Sequence, residues 1–533
     1  MKHRIVFLPG NVETAVPHGT LVSDAAKQAG VWIDSPCGGN GTCKKCAVLL
    51  TCSGRTERVL ACQTRIEADC SVSPLQTEIL RPLEEGSART VPLAPYPAAD
   101  YSRELACMAA FDLGTTTIVC YLLDAKSGEQ IAVGGMQNPQ SAYGADVIAR
   151  ANYALTGGQP KALQACIIEA LNSLLLQTLG TCNREPGDVS LITLVGNTVM
   201  HHLLLGYPLE QLVRSPYAPY RVERQVLPAA QLGLCADCAL LLAPLVGGFV
   251  GADTIACLSA TAFDAKTEPT LLIDIGTNGE MALTNGTRMV CCSTAAGPAF
   301  EGANISCGMR AVSGAIDRVW LEQNRLRYSV IGGGEPFGLC GSGLIDLCAL
   351  LSNLNVIDES GRFNPEENIS GESGRFDEDA PLGNRIFTLE NGMKAFLISD
   401  SGQRLALTQK DVRELQLGKA AIRAGIEVLL QTLSLSAEQV RETLLAGAFG
   451  NHLSPQSLCD IGLLPRALLH GVRSIGNAAG EGAKLYAKNF ELFEASEALA
   501  RNTDFIELAL SHSFTDYYVD AMAFPREELR EEL

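Results

Sequence analysis

The sequence predicts a multidomain protein of mixed α+β and α/β class: a small N-terminal module, a short linker and a large body in two related halves. Three observations predict it. A glycine-laced cysteine loop, SPCGGNGTCKKC, occupies residues 35–46. A strand, Asp-x-Gly-Thr turn and second strand occur at 111–130 and again at 272–290. The chain, at 533 residues, is too long for one hydrophobic core.

Composition narrows the function classes. With 47% apolar and 19% charged residues the chain reads as globular. A net charge of −18 argues against a nucleic-acid partner. Residues 1–80 carry a net charge of +1, so a near-neutral module is joined to an acidic body carrying −19. Nineteen cysteines form no evenly spaced disulfide framework. The N-terminus MKHRIVFLPGNVETAV has too short an apolar run for a signal peptide. The run from Cys238 to Ala252 is broken by Pro244 and is too short to span a membrane. The expectation is a cytoplasmic protein with reduced or metal-bound thiols and no membrane partner.

In the module, HRIVFL (3–8) reads as a strand, Val12–Val16 as a returning strand, and Thr20–Gly30 as a helix. Ala47–Leu50 and the run Val59–Cys62 read as further strands. The cysteines fall as Cys37-x5-Cys43-x2-Cys46, with Cys62 fifteen residues beyond Cys46 in the phrase LACQT. An iron–sulfur cluster needs four soft thiolates, three of them wrapped by a tight loop, and Gly38, Gly39 and Gly41 suit such a loop. A zinc site would more commonly pair two close-spaced couples, and there is one Cys-x2-Cys here. Cys52 and Cys70 compete with Cys62 as the fourth ligand.

This segment resembles the [2Fe–2S] ferredoxins of β-grasp fold. The resemblance implies a cluster held by Cys37, Cys43, Cys46 and Cys62. The x5 gap departs from the plant-type spacing and matches the adrenodoxin-like branch, whose gap to the fourth ligand is longer. Residues 1–80 form this module, and residues 81–105, with four prolines, read as a linker.

The body, residues 106–533, divides roughly at 260/261. Each half carries a phosphate-type hairpin. A Gly-Thr turn between strands offers backbone N–H groups and hydroxyls to a phosphate tail. An Asp at the end of the first strand can hold hydrated Mg²⁺ or orient the attacking water. The first set is Asp112, Gly114, Thr115, Thr116 and Thr117; the second is Asp274, Gly276, Thr277, Asn278 and Gly279. A third element, TLLAGAFG (443–450), is a strand closing in a turn with Gly447 and Gly450, after an amphipathic helix around Lys410–Leu433. Two stretches rich in small residues, GGFVGADTIACLSA (247–260) and IGNAAGEGAKLYA (475–487), read as helices.

In this order, the five elements resemble the actin, sugar-kinase and Hsp70 ATPase superfamily. That resemblance implies two ribonuclease-H-like halves clamping ATP, with Gly447 and Gly450 shaping the adenosine pocket and the small-residue helices crossing between halves. With GNTVMHHLLLG (196–206), AGPAFEG (296–302), GLCGSGLID (338–346) and LAGAFGNH (445–452), the whole chain resembles the reductive activators of corrinoid proteins. The implied function is ATP-driven transfer of one electron from a [2Fe–2S] cluster to Co(II) corrinoid, restoring Co(I) for methyl transfer. The implied cofactors are the cluster, ATP and Mg²⁺. The implied partners are a corrinoid protein and an upstream low-potential electron donor, with homodimerisation left open. Some family members insert a further domain where this chain has about 25 residues, and others carry C-terminal clusters, whereas no cysteine follows Cys459.

Two other functions fit the same motifs: an ATP-gated electron donor to a non-corrinoid enzyme such as a radical dehydratase, or a metabolite kinase with a redox-sensing module. Of the remaining features, Glu280 and Glu301 are accessory polar groups or surface residues. Cys235 and Cys238 lack a partner pair, and His201 and His202 read as packed histidines. Lys44, Lys45, Arg55, Arg58 and Arg65 either face an acidic partner or lie in a solvated loop.

Overall fold

The computed structural model describes residues 2–8, 12–29, 31, 33, 46–52, 54–74, 89–144, 146–156, 160–364, 382–400, 404–447 and 453–525. Cys37, Cys43, the loop glycines, Lys44, Lys45 and Gly450 lie outside the described residues.

The N-terminal module is a five-stranded sheet with one helix. Its elements are β1 (Lys2–Phe7), β2 (Val12–Pro17), α1 (Val22–Gln28), β3 (Ala47–Cys52), β4 (Arg55–Leu60) and β5 (Cys70–Pro74), in sheet order β2-β1-β5-β3-β4. In β1 the more and less buried positions alternate, so Ile5 and Phe7 face the core with Val16, Val48 and Val72, while Val22, Ala25 and Ala26 of α1 cover it. The parallel β1–β5 pair between two antiparallel hairpins is the expected β-grasp arrangement. The element ends shift by a few residues from expectation, most at β4, which runs Arg55–Leu60 and leaves Ala61 and Cys62 in a turn. The Gln63 and Thr64 N–H groups both donate to Leu60 O at 2.9 Å, which lifts Cys62 off the sheet ladder.

The first lobe comprises β6 (Cys107–Leu113), β7 (Thr117–Asp124), β8 (Gln130–Gln137), α2 (Val147–Thr156), α3 (Pro160–Thr181), β9 (Val189–Gly196), α4 (Thr198–Leu205), β10 (Gln225–Pro228), β11 (Ala239–Leu242) and α5 (Ala252–Ala260). The second begins with β12 (Thr270–Ile275), β13 (Gly279–Thr284) and β14 (Met289–Thr294). It continues through β15 (Ala315–Glu322), β16 (Arg325–Val330), β17 (Gly338–Leu339), α6 (Gly341–Asn353), β18 (Ile386–Thr388), β19 (Lys394–Ser399), β20 (Leu405–Thr408), α7 (Gln409–Leu433), β21 (Glu442–Ala446), α8 (Pro455–Asp460), β22 (Val472–Gly476), α9 (Ala478–Lys488), α10 (Phe490–Arg501), β23 (Thr503–Phe505) and α11 (His512–Asp520).

The two main sheets repeat one topology. In the first, β8, β7 and β6 form an antiparallel meander, with β9 and then β11 added parallel to β6. In the second, β14, β13 and β12 form the meander, with β21 and β22 added parallel. The chain is therefore a ferredoxin-type module joined to two ribonuclease-H-like lobes. The body's internal sequence repeat is a structural repeat.

Alternation along the strands sorts the side chains. Met108 and Ala110 of β6, and Leu272 of β12, face a shared core between the sheets; Ile273 and Ile275 face the opposite side of the second sheet. The shared core is filled by α5 and α9. Gly482 makes their crossing possible: a Cβ there would lie 2.2 Å from Ala256 O and 2.6 Å from Ala256 Cα. The Thr193 hydroxyl donates to Ala483 O (2.9 Å), tying α9 of the second lobe to the first lobe's sheet.

Among the described residues one helix, α3, is long and apolar enough, by length and composition, to cross a membrane. Leu163, Ile167, Leu171 and Leu174 of α3 are buried in the first lobe's outer core.

Candidate nucleotide cleft and cluster site

Each phosphate-type hairpin closes on itself. The Gly114 N–H donates to Thr117 O (3.0 Å), and the Gly276 N–H donates to Asn278 O (3.0 Å). Behind the first hairpin, Asn138 Nδ2 donates to Gly114 O (2.9 Å) and Asn197 Nδ2 to Thr115 Oγ1 (2.9 Å). Across the cleft the two hairpins meet: the hydroxyls of Thr116 and Thr277 are 3.1 Å apart, and Thr277 donates to Glu301 Oε1 (2.6 Å). Residues 161 positions apart in sequence are thus in hydrogen-bond contact.

Asp112 and Asp274 occupy equivalent positions near the ends of β6 and β12, on the faces turned toward α5 and α9. Their neighbours differ. Asp112 pairs in register with Val119, whereas Asp274 pairs directly with Glu280. Asp112 accepts from Asn477 Nδ2 (2.9 Å), a second-lobe residue whose Nδ2 also lies 3.1 Å from the Tyr121 hydroxyl. Gly447, with φ +102°, packs against Asp274: a Cβ there would lie 2.8 Å from Asp274 Oδ1. That left-handed backbone and that contact leave room for glycine alone.

Electrostatically the cleft is a convergence of acids. Burial pushes the Asp112 carboxyl up to about 6, while the Asn477 hydrogen bond opposes the shift. Asp274 is pushed up to about 7 by burial and then by the charge of Asp112. Asp253, in the first turn of α5, is pushed up to about 7 by burial, with Asp112 and Asp274 adding to the shift. Glu280 is raised well above the carboxylate range by burial and by the charges of Asp253 and Asp274. Each lobe contributes two of these four acids, so their repulsion acts across the cleft. Among the described residues no three His, Cys, Asp or Glu side chains form a ready cation cage.

A buried cation, Arg150, reaches Met200 Sδ with Nη1 (3.8 Å), the same sulfur that Asn138 Nδ2 approaches (3.5 Å). Arg150 is fully buried, and burial lowers its pKa to about 10. Its Nε donates to Gly144 O (2.9 Å), and its Nη2 has no partner among the described residues.

In the N-terminal module Cys46 and Cys62 come together, their sulfurs 3.1 Å apart in a buried position. The Ala61 N–H donates to Cys46 O (2.8 Å), locking the two chain segments side by side. Cys52 and Cys70 instead face each other across the β3–β5 ladder. Of Cys52, Cys62 and Cys70, Cys62 is thus the one whose sulfur lies against Cys46.

Several residues of the cleft were not singled out from the sequence. Asp253, Asn477 and Asn197 lie inside quoted motifs, but nothing local marks them as neighbours of Asp112, Asp274 or Thr115. Glu280 and Glu301, read as accessory or surface groups, are cleft residues. His201 and His202 are packed as expected: burial pushes His201 down to about 3, and His202 lies between Thr198 O (2.8 Å from Nδ1) and the Tyr220 N–H (2.9 Å from Nε2). Cys235 is exposed, and Arg65 Nη1 donates to Gly19 O (2.8 Å).

Comparison with known proteins matches this geometry over its whole length. Three family descriptions fit consecutive segments: a 2Fe-2S iron-sulfur cluster binding domain at residues 6–67, a RACo middle region at 107–266, and the C-terminal ASKHA domain of RACo at 268–532. The corrinoid activation enzyme RamQ of Eubacterium limosum is 32% identical over 594 aligned residues, covering 97% of this chain and 98% of that protein. The chain belongs to the corrinoid activation enzymes. Another relative of this activator is the [Co(II) methylated amine-specific corrinoid protein] reductase of Methanosarcina barkeri, 25% identical across 78% of this chain and 76% of that one. A solved reductive activator for corrinoid, iron-sulfur protein superposes on the activator described here with a TM-score of 0.72 at 27% identity, over 99% of both chains.

Proposed function

We propose that this activator passes one electron from a [2Fe–2S] cluster to the Co(II) corrinoid of a methyltransferase system, restoring Co(I), with ATP turnover driving the step. The observation that carries the proposal is the union, in one chain, of a ferredoxin sheet and an acid-lined double-sheet cleft along the full length of a corrinoid activation enzyme. The cluster would supply a one-electron couple, held by Cys37, Cys43, Cys46 and Cys62; the buried approach of Cys46 and Cys62 suits two of those ligands.

In the cleft, the hairpin of Gly114, Thr115, Thr116 and Thr117 and that of Gly276, Thr277, Asn278 and Gly279 would hold the phosphates with N–H and hydroxyl donors. Gly447 and Gly450 are the residues we assign to the adenosine pocket, as the resemblance to the ATPase superfamily implies. Hard carboxylate oxygens on Asp112 and Asp274, without a complete protein cage, suit Mg²⁺ that keeps water and phosphate ligands. Loading the cleft with a divalent cation would relieve the repulsion among Asp112, Asp253, Asp274 and Glu280 and draw the lobes together. We assign residues 1–80 to the cluster domain, 81–105 to the linker and 106–533 to the ATPase. The cytoplasm, an upstream low-potential donor and a corrinoid-protein partner complete the reading.

The energetics give the fusion its purpose. One electron costs about 1.4 kcal/mol per 59 mV, so a coupling of roughly 7 kcal/mol offsets about 0.3 V. ATP supplies such a term only through a protein that holds its partner differently in two states. The test is to mix the anaerobically reduced protein with a Co(II) corrinoid protein and follow visible absorbance with and without Mg-ATP. ATP-dependent growth of the Co(I) band, lost in Cys46→Ala and in Asp274→Ala, is the expected result. ATP hydrolysis that responds to a small-molecule phosphoryl acceptor, with no Co(I) formed, overturns it.

A further inference from the structure

The segment between the cluster module and the body is seated on the body from residue 89 onward. The Arg89 N–H donates to Ala260 O (3.1 Å), at the C-terminal end of α5. The Ala94 N–H donates to Lys488 O, and the Phe490 N–H donates to Ala94 O, both at 2.8 Å, so the segment bridges in parallel to Asn489 at the C-terminal end of α9. Asn489 Nδ2 adds a bond to Pro92 O (3.1 Å), while its Oδ1 accepts from the Leu492 N–H (2.8 Å) and caps α10. The ring of Tyr96 packs on Phe490 with centroids 4.9 Å apart.

The opposite ends of the same two helices stand in the nucleotide cleft. The first turn of α5 carries Asp253, and Cys257 one turn later donates to Asp274 Oδ2 (3.8 Å). The N-cap of α9 is Asn477, on Asp112. Both helices therefore run from cleft to linker, in backbone contact at Ala256 and Gly482. With nine and eleven residues they span about 14 and 17 Å. A nucleotide and cation that move Asp112, Asp253 or Asp274 push on one end of a packed pair of rods, and the linker sits on the other.

We propose that residues 89–96 are a strap docked on the far ends of α5 and α9, and that Asn489 is the positioning residue through which nucleotide in the cleft governs placement of the cluster module. The inference rests on the ATP-driven electron transfer proposed above and names its route. It meets the requirement for coupling that a contiguous element be biased from both ends: the cleft acids at one, the strap's hydrogen bonds at the other.

The test uses the full cluster-loaded chain. Backbone hydrogen exchange is read at Arg89, Ala94 and Phe490, with and without a magnesium complex of a non-hydrolysable ATP analogue. Nucleotide is expected to change exchange at these amides in the unsubstituted protein. In Asn489→Ala exchange becomes fast in both states. ATP hydrolysis and reduction of the cluster by dithionite persist, while the ATP-stimulated rate of Co(II) reduction falls about tenfold, the usual weight of one buried hydrogen bond. Tyr96→Ala, which removes a ring contact without touching a helix cap, gives the same pattern if Asn489→Ala fails to fold. Exchange indifferent to nucleotide at all three amides, or full ATP stimulation in a folded Asn489→Ala or Tyr96→Ala protein, overturns the strap. Failure of the unsubstituted protein to reduce any Co(II) corrinoid protein sinks the electron-transfer reading instead, and the exchange experiment still decides whether cleft and strap are coupled.

Discussion

Replacing Asn477 with alanine tests the electrostatics of the cleft at one atom. The Asn477 side chain does three things: Oδ1 caps α9 by accepting from the Gly480 N–H (2.9 Å), and Nδ2 lies 2.9 Å from Asp112 Oδ2 and 3.1 Å from the Tyr121 hydroxyl. Loss of the cap costs about 1 kcal/mol of stability. Loss of a hydrogen bond to a carboxylate is worth about 1.5–3 kcal/mol, or about one to two pH units at 1.36 kcal/mol per unit. Asp112 already sits near 6 because burial disfavours its charge and Asn477 partly compensates. Without that donor its titration moves upward. A carboxylate that must be ionised fails as pH falls through its pKa, so the acid limb of kcat/KM for ATP hydrolysis shifts to higher pH by about one to two units. The assay is a pH–rate profile of the unsubstituted, Asn477→Ala and Asn477→Ser proteins. Serine can still cap the helix but is too short to reach Asp112, so it separates the two roles. An acid limb that does not move in either variant, with thermal melting showing the helix intact, refutes the assignment of Asp112 as an ionised cleft group.

Three further outcomes follow from the same geometry. Asp274→Asn should stabilise the nucleotide-free protein above neutral pH. Asp274 titrates near 7 when folded and near 4 when unfolded. The native state therefore holds the extra proton between those values, and stability falls as pH rises through that window. Removing the charge recovers about 1–3 kcal/mol at pH 8, and an unchanged pH dependence of Tm would count against it. Cys46→Ser and Cys62→Ser should each abolish the visible absorbance and bound iron of the cluster, whereas Cys52→Ala and Cys70→Ala should retain both; iron loss from Cys52→Ala would reverse the ligand choice. Gly482→Ala should lower stability by about 1–3 kcal/mol, because its Cβ would meet Ala256 backbone and not a movable side chain. Denaturant titration reads that loss directly.

Much of the fold was legible because its signals are local. A hairpin that presents N–H groups to phosphate needs Gly and Thr within four residues, so Asp112–Thr117 and Asp274–Gly279 are visible in any window that contains them. The same holds for α7, whose long apolar stripe fixes Gln409–Leu433 nearly to the residue. The α3 helix was less legible, since an apolar run buried on one face of a sheet reads much like a membrane span. The linker likewise showed its prolines but not its seat on α9, which depends on Phe490 and Asn489 almost 400 positions away.

The sequence by itself determined the parts: an iron–sulfur type loop, two equivalent phosphate hairpins, small-residue helices able to cross, and their order along the chain. These follow from turn chemistry, side-chain size and periodicity, all of which act over a few residues. The tertiary structure decided which parts touch. It brought Asn477 to Asp112, Thr116 to Thr277, Asp253 into the field of both aspartates, and Cys62 rather than Cys52 or Cys70 beside Cys46. Those pairings arise from sheet order and strand register over separations of up to 365 residues. Local composition carries no record of them, because the free energy that selects the cleft pairs is released only when both lobes close on a common core, and that which selects the cysteine pair only when the N-terminal module closes on its own.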